Sequence, residues 1–244
     1  MSSVWPIFKR EFLSYFSTPL AYVFIVIFLF AMGAFTFYIG HFYENGVADL
    51  AVFFGYHPWL YLFLVPAIAM RLWAEERRTG TMELLLTLPV PVWATVVGKY
   101  LAAWAFTGVA LMLTFPIWIT VNYLGNPDNG VILASYIGSF LMAGAFLAIG
   151  AAISALYKNQ VIAFVLSAAV CFIFTVASSP IVLGPVQNWV PGWVITTIAN
   201  LSFLSHFAAI SRGMLDLRDL IYFGSVITFF LFANTLIIER KKAD

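Results

Sequence analysis

The side chains equipped for polar chemistry are few in this chain, and their spacing excludes most of what such groups do. Among 244 residues there are 12 Lys and Arg, 11 Asp and Glu, 3 His and 1 Cys. His41, His57 and His206 are too scattered to suggest a metal site, and each reads as an interfacial or loop residue. No His-Glu-x-x-His occurs, so zinc-protease chemistry is unsupported. Gly138–Ser139 with His206 lacks the full Gly-x-Ser-x-Gly elbow that exposes a nucleophilic serine. The one Gly-Lys pair, Gly98–Lys99, has no glycine five residues before Gly98, and Tyr100 stands where a P-loop needs Ser or Thr. The chain therefore cannot hydrolyse ATP by that route. Cys171, alone in an apolar run, reads as a packing residue.

What remains is a charged connection over residues 71–90. It contains Glu75, Glu76, Arg77, Arg78, Thr79, Gly80, Thr81, Met82 and Glu83, then Leu84, Leu85, Leu86, Thr87, Leu88 and Pro89. The pattern predicts a helix end, a turn and a short second helix. Gly80 suits the backbone angles of a tight turn, Thr79 or Thr81 can cap the second helix, and Glu83 suits the start of a helix dipole. Pro89 and Pro91 limit that helix to roughly two turns, with Leu84, Leu85 and Leu88 free to pack. A simpler reading makes it a basic loop that only sets topology, but topology needs neither the Glu pair nor the bounded leucine helix. The turn carrying Lys158 and Asn159 is a second candidate contact on the same side. Arg212, Asp216, Arg218 and Asp219 form a charged group on the opposite side. If that stretch is helical, Arg212 and Asp216 are four apart and can pair.

These groups are positioned by apolar elements. The composition is 63% hydrophobic and 9% charged, whereas an ordinary soluble domain carries about 25% charged residues. Six runs are each long enough to cross a bilayer as a helix: about 20–40, 53–72, 92–121, 131–156, 161–183 and 220–238. They do not alternate as barrel strands would, so the expected fold is an all-α membrane bundle of six spans forming one domain. With both termini inside, Lys9, Arg10, Arg71, Arg77, Arg78, Lys99, Lys158, Arg240, Lys241 and Lys242 fall on the cytoplasmic side, and Arg212 and Arg218 outside. No Asp or Glu falls inside a run, and Lys99, near a cytoplasmic end, can snorkel. The bundle thus carries no evident proton relay or energy source. A net charge of +1 makes no demand for nucleic acid.

Three further segments stand out. Residues 4–17 place Trp5, Phe8, Phe12 and Phe16 at helical spacing, as in an amphipathic helix on the membrane surface. Residues 193–209 are apolar but short and carry Thr196, Asn200, Ser202, Ser205 and His206. They read as a re-entrant or interfacial helix on the outer face before the last span. The fourth run holds Gly138, Ala143, Gly144, Ala148, Gly150, Ala151, Ala152 and Ala155, small enough for close helix approach. Pro66 and Pro116 are candidate kinks in the second and third runs.

The stretch Glu75-Glu76-Arg77-Arg78-Thr79-Gly80-Thr81-Met82-Glu83-Leu84-Leu85-Leu86-Thr87-Leu88-Pro89 resembles the motif of the ABC-2 type permease family. A basic N-terminal helix (Phe8-Lys9-Arg10-Glu11), six spans and outer-face helical structure extend the resemblance over the whole chain. Ser205-His206-Phe207 and Arg212-Gly213-Met214-Leu215-Asp216-Leu217-Arg218-Asp219 look most like the gliding-motility-type permeases. The resemblance implies a non-catalytic permease subunit, an exporter by preference, in the bacterial cytoplasmic (inner) membrane. It implies that residues 75–88 form a coupling helix docked on a separate P-loop ATPase, present in two copies and holding the ATP and Mg. It further implies a second permease chain, identical or related, and leaves room for an extracytoplasmic accessory protein. An ATPase-driven mechanical or assembly role on such a partner is the alternative.

Overall fold

The computed structural model describes residues 4–82, 89–186 and 191–243, and among them there is no strand. Long apolar runs have no water to satisfy their backbone in a bilayer, so the helix, which pairs every amide internally, is the form they take. In chain order the helices are α1 (Val4–Phe16), α2 (Pro19–Gly33) continuing as a π-helical turn (Ala34–Ile39), α3 (Ala51–Ala69) and α4 (Arg71–Thr79). There follow α5 (Val92–Met112), α6 (Phe115–Leu124), α7 (Asn129–Leu156) and α8 (Gln160–Val176). The last are α9 (Pro180–Val186), α10 (Gly192–Asn200), α11 (Phe203–Ile210) and α12 (Leu217–Ala243).

α7 is the axis of the bundle. Its most apolar window is 78% buried, against 22% for the windows of α2 and α12. The small residues make this possible: a methyl on Gly150 would collide with Ala69 Cβ, and one on Gly144 would meet the Trp104 indole at 2.8 Å. Their absence of side chain lets α3 and α5 close onto α7. Ser139 Oγ ties α7 to α3, meeting His57 Nδ1 at 2.6 Å and Tyr61 Oη at 2.8 Å. His57 is therefore a fully buried bundle residue. The expectation of an interfacial or loop histidine fails because the partner that offsets its desolvation comes from a distant helix.

Among the described residues five helical stretches are long and apolar enough to cross a membrane, and α10 with α11, bent by 62°, would count as a sixth. The fifth run, expected over 161–183, stops at Val176 after 17 residues. Pro180 lacks an amide proton and disfavours helix at the residue before it, and Ser178 leaves the helical path to bond Ser202 Oγ at 2.9 Å. The third run is interrupted near the expected Pro116: α5 ends at Met112, Thr114 donates back to the Leu111 carbonyl at 2.6 Å, and Pro116 lies in the first turn of α6. α1 forms over the expected residues. Its rings pack in series from Trp5 through Phe8 and Phe12 to Phe16, and Ile7 sits over Gly98 of α5.

Candidate functional site at the basic end of the bundle

Arg71, Arg77, Arg78, Lys99, Lys158, Arg240 and Lys241 gather at one end of the bundle, around the joint between α3 and α4. Three interactions build that joint. In an unbroken helix the Met70 carbonyl would accept from the Ala74 amide. Here Ser154 of α7 stands between them. Its hydroxyl donates to the Met70 carbonyl at 2.8 Å and accepts from the amides of Ala74 (3.0 Å) and Trp73 (3.2 Å). The hydroxyl interrupts the ladder at Met70, between α3 and α4, without orphaning the first amides of α4.

Beyond the joint, Arg77 reaches back to α7. Its Nη1 donates to the carbonyls of Ala155 (3.1 Å) and Leu156 (2.7 Å). Lys241 of α12 donates to the same two oxygens at 2.8 and 2.9 Å. Cations at the last carbonyls of a helix satisfy orphan acceptors and oppose the dipole. Three helices, α4, α7 and α12, thus meet on two oxygen atoms.

Lys99 is the third element. Its place in the sequence predicts snorkelling, but its side chain is only 4% exposed. Its ammonium lies 2.6 Å from Glu76 Oε1 and 3.3 Å from Glu11 Oε1, and 5.5 Å from the centre of the Trp73 ring. The correction has a plain cause: two carboxylates from α1 and α4 come to the lysine, so it need not reach water. Burial raises the Glu11 pKa, but Lys99 and then Arg10, 2.7 Å away, outweigh it and hold the carboxyl below the ordinary glutamate range. Glu76 Oε2 is buried with no partner among the described residues. A cavity of about 520 Å³ opens beside this cluster, lined by Glu11, Tyr15, Arg71, Glu75, Glu76 and Lys99 among others. Arg71 and Glu75 pair loosely at 3.6 Å.

α4 ends as its sequence predicts. Gly80 is left-handed, with φ of 74° and open space around its α-carbon, so the turn and not crowding selects glycine. Thr79 donates to the Glu75 carbonyl and Thr81 to that of Glu76. Arg78 is exposed. Glu83, Leu84, Leu85 and Leu88 lie outside the described residues. Of the second candidate contact, Lys158 is exposed, whereas Asn159 is occupied: its side-chain oxygen caps α8 at the Val161 amide.

The opposite end is organised differently. The 62° break between α10 and α11 would strand carbonyls, and side chains collect them. His206 Nε2 donates to the Asn200 carbonyl (2.9 Å), Tyr222 to that of Leu201 (2.5 Å), and Arg218 to Asn200 Oδ1 (3.0 Å). His206 Nδ1 meets Asp219 Oδ1 at 2.5 Å, with both side chains under one-tenth exposed. His206 is therefore a buried strut and not a loop residue. Arg212 and Asp216 do not pair, because residues 211–216 form a turn through left-handed Gly213. Arg212 donates to the Ala208 carbonyl, and Asp216 accepts from the Arg218 amide at the start of α12.

Residues 41–238 match the model of the ABC-2 family transporter protein family. The chain belongs to the ABC-2 family. Members of that family are membrane transport subunits that work with an ATPase carried on a separate chain, and this chain is accordingly a multi-pass permease. It is similar to heme exporter protein B of Rhodobacter capsulatus, 34% identical over 70 residues, covering 28% of this chain and 32% of that one. It is 33% identical over 87 residues to heme exporter protein B of Paracoccus denitrificans, covering 34% and 38% respectively. The matched stretch spans about a third of the length of these curated relatives.

Proposed function

We propose that this ABC-2 permease is an exporter subunit whose α4 and the segment after Gly80 receive the stroke of the ATPase. The observation that carries this reading is the joint at Ser154. α4 is separated from α3 by a break at Met70 that Ser154 of α7 bridges, and Arg77 clamps it to α7, the most buried of the candidate spans. A push on α4 would load the centre of the bundle directly. Glu75, Glu76, Arg77, Arg78, Gly80, Thr81, Glu83, Leu84, Leu85 and Leu88 form the coupling arm, and Lys158 adds a contact beside it. The basic end then faces the cytoplasm of a bacterium, with both termini there, and Arg212, Asp216, Arg218 and Asp219 face outward across the inner membrane.

Two ATPase copies would bind ATP and Mg, and a second permease chain would complete the pathway. The relatives are named for heme export, and an amphipathic cargo of that general kind suits spans whose apolar runs hold no Asp or Glu. The likeness to gliding-motility-type permeases stays with residues 205–219 as a proposal.

The test is co-purification with the ATPase and its stimulation in proteoliposomes. Glu83→Lys is expected to abolish both binding and stimulation while the permease remains folded. Undiminished stimulation by that variant would remove the coupling role. ATP-independent flux through the purified chain alone would replace the reading with a channel or gradient-driven carrier.

A further inference from the structure

Arg77, Lys158 and Lys241 gather at the end of α7, and none of them forms an ion pair with a carboxylate among the described residues. Arg77 and Lys241 share the Ala155 and Leu156 oxygens, so their charged groups sit side by side. Lys158 stands two residues past the end of α7, whose last carbonyls hold the other two cations. The helix end they surround carries only about half a negative charge. Three unit charges against that partial one leave a surplus of positive potential.

The surrounding groups do not remove it. On α4, Glu75 and Glu76 are engaged by Arg71 and Lys99, and Arg78 is a further exposed cation. On α12, Glu239 and Arg240 are both exposed, and Glu239 forms no ion pair among the described residues. Donors also remain unused. Lys158 makes no hydrogen bond among the described residues, and Arg77 uses only Nη1.

We infer that this triad binds the phosphate of an anionic phospholipid headgroup. Depth and surroundings favour a lipid over a soluble acidic partner. α7 has 28 residues, which at 1.5 Å each makes about 42 Å, the full thickness of a bilayer with its headgroups. Its end therefore lies at headgroup level. Large apolar side chains border the charges: Leu156 is 46% exposed, Val161 66% and Leu236 42%. A cation cluster rimmed by exposed hydrocarbon suits a molecule that is charged at one end and apolar at the other. The inference rests on the proposed cytoplasmic reading of the basic end, and it assigns Lys158 to the lipid in place of the ATPase contact.

Native mass spectrometry of the full-length permease titrated with phosphatidylglycerol or phosphatidylcholine tests the site. The wild type is expected to retain phosphatidylglycerol in preference. Lys158→Gln, which breaks no hydrogen bond of the fold, should weaken that retention about fivefold, leave phosphatidylcholine unaffected, and be rescued by Lys158→Arg. An unchanged unfolding temperature in phosphatidylcholine certifies the fold of the variant. Equal retention of the two lipids by the wild type, or no effect of Lys158→Gln, overturns the inference. Inorganic phosphate bound with the same Lys158 dependence would make the ligand a free anion and overturn the lipid assignment. A Lys158 effect seen only when the ATPase subunit is present would hand the site to an acidic protein surface and overturn it equally.

Discussion

The two ends of this bundle use the same kinds of residue to opposite effect. At the end holding α10, α11 and the start of α12, the polar groups close on one another within residues 200–222. Asn200 gives its carbonyl to His206 and its side chain to Arg218, Leu201 is met by Tyr222, and His206 is held by Asp219. At the basic end the contacts join α1, α4, α5, α7 and α12, and among the described residues they leave capacity over: an oxygen of Glu76 without a partner, a Lys158 without a hydrogen bond, a cavity beside Lys99. A closed network holds a shape. An open one, spread over helices distant in sequence, is what an external force or ligand can act on.

The largest effect that would test this contrast is at Lys99. Lys99→Met keeps the length of the side chain but leaves two carboxylates facing each other in a partly buried cleft. Breaking a buried ion pair from one side costs about 3 kcal/mol, and the roughly one-fifth exposure of Glu11 and Glu76 keeps the value near that lower bound. Unfolding in micelles should show it, with α1 released first in hydrogen exchange. If α1 stays protected, the ion triad is not what holds it.

Next in size is the far end. His206→Phe fills the same space beside Tyr222 but strands the Asp219 carboxylate and the Asn200 carbonyl, at about 2 kcal/mol. The comparison predicts that this loss is confined to α10–α12 and leaves stimulation of the ATPase intact. An equal loss of stimulation in His206→Phe and Lys99→Met would erase the distinction between a closed end and a working end.

Ser154→Ala should be smaller in stability and larger in function. Interhelical hydrogen bonds in membranes contribute about 1 kcal/mol, and without the hydroxyl the Met70 carbonyl and Ala74 amide are free to bond each other. The ladder would then run unbroken from α3 into α4, and α4 would lose its tie to α7. A spin-label distance from α4 to α7 should lengthen, and ATPase stimulation should fall while the unfolding temperature barely moves. An unchanged distance would show that Ser154 does not set the position of α4.

How much of this is legible in the sequence depends on how local each feature is. Gly80 and the charges around it stand in one stretch, so the turn can be read directly, and α1 and the helix break before Pro116 likewise. Ser154, Arg77 and Lys241 make their point only when α7, α4 and α12 are side by side, and nothing in the spacing of any one of them announces it. Lys99 and His57 mislead for the same reason. Read along the chain, each is judged against the apolar residues beside it, whereas its partners, Glu11 and Glu76 in one case and Ser139 in the other, arrive from other helices. The fifth span is too long when drawn by hydropathy, which continues through Ser178 and Ser179 to Leu183, although Pro180 marks the break. Glu83 and the leucines after it keep only their sequence reading.

The smallest effect separates the two ends by pH. The Glu11 carboxyl is held below its ordinary value of 4.5, burial opposing and Lys99 and Arg10 prevailing. A depressed carboxylate stabilises the fold above its unfolded pKa and loses that contribution as pH falls through the folded one. The docking of α1 on α5 should therefore be constant from neutral pH down to about 4.5 and weaken below it. Glu11→Gln should remove that acid-dependent part while leaving α10–α12 unaffected across the same range. Hydrogen exchange of α1 amides in wild type and variant measures it. Identical acid sensitivity in the two proteins would show that the loss does not come from Glu11.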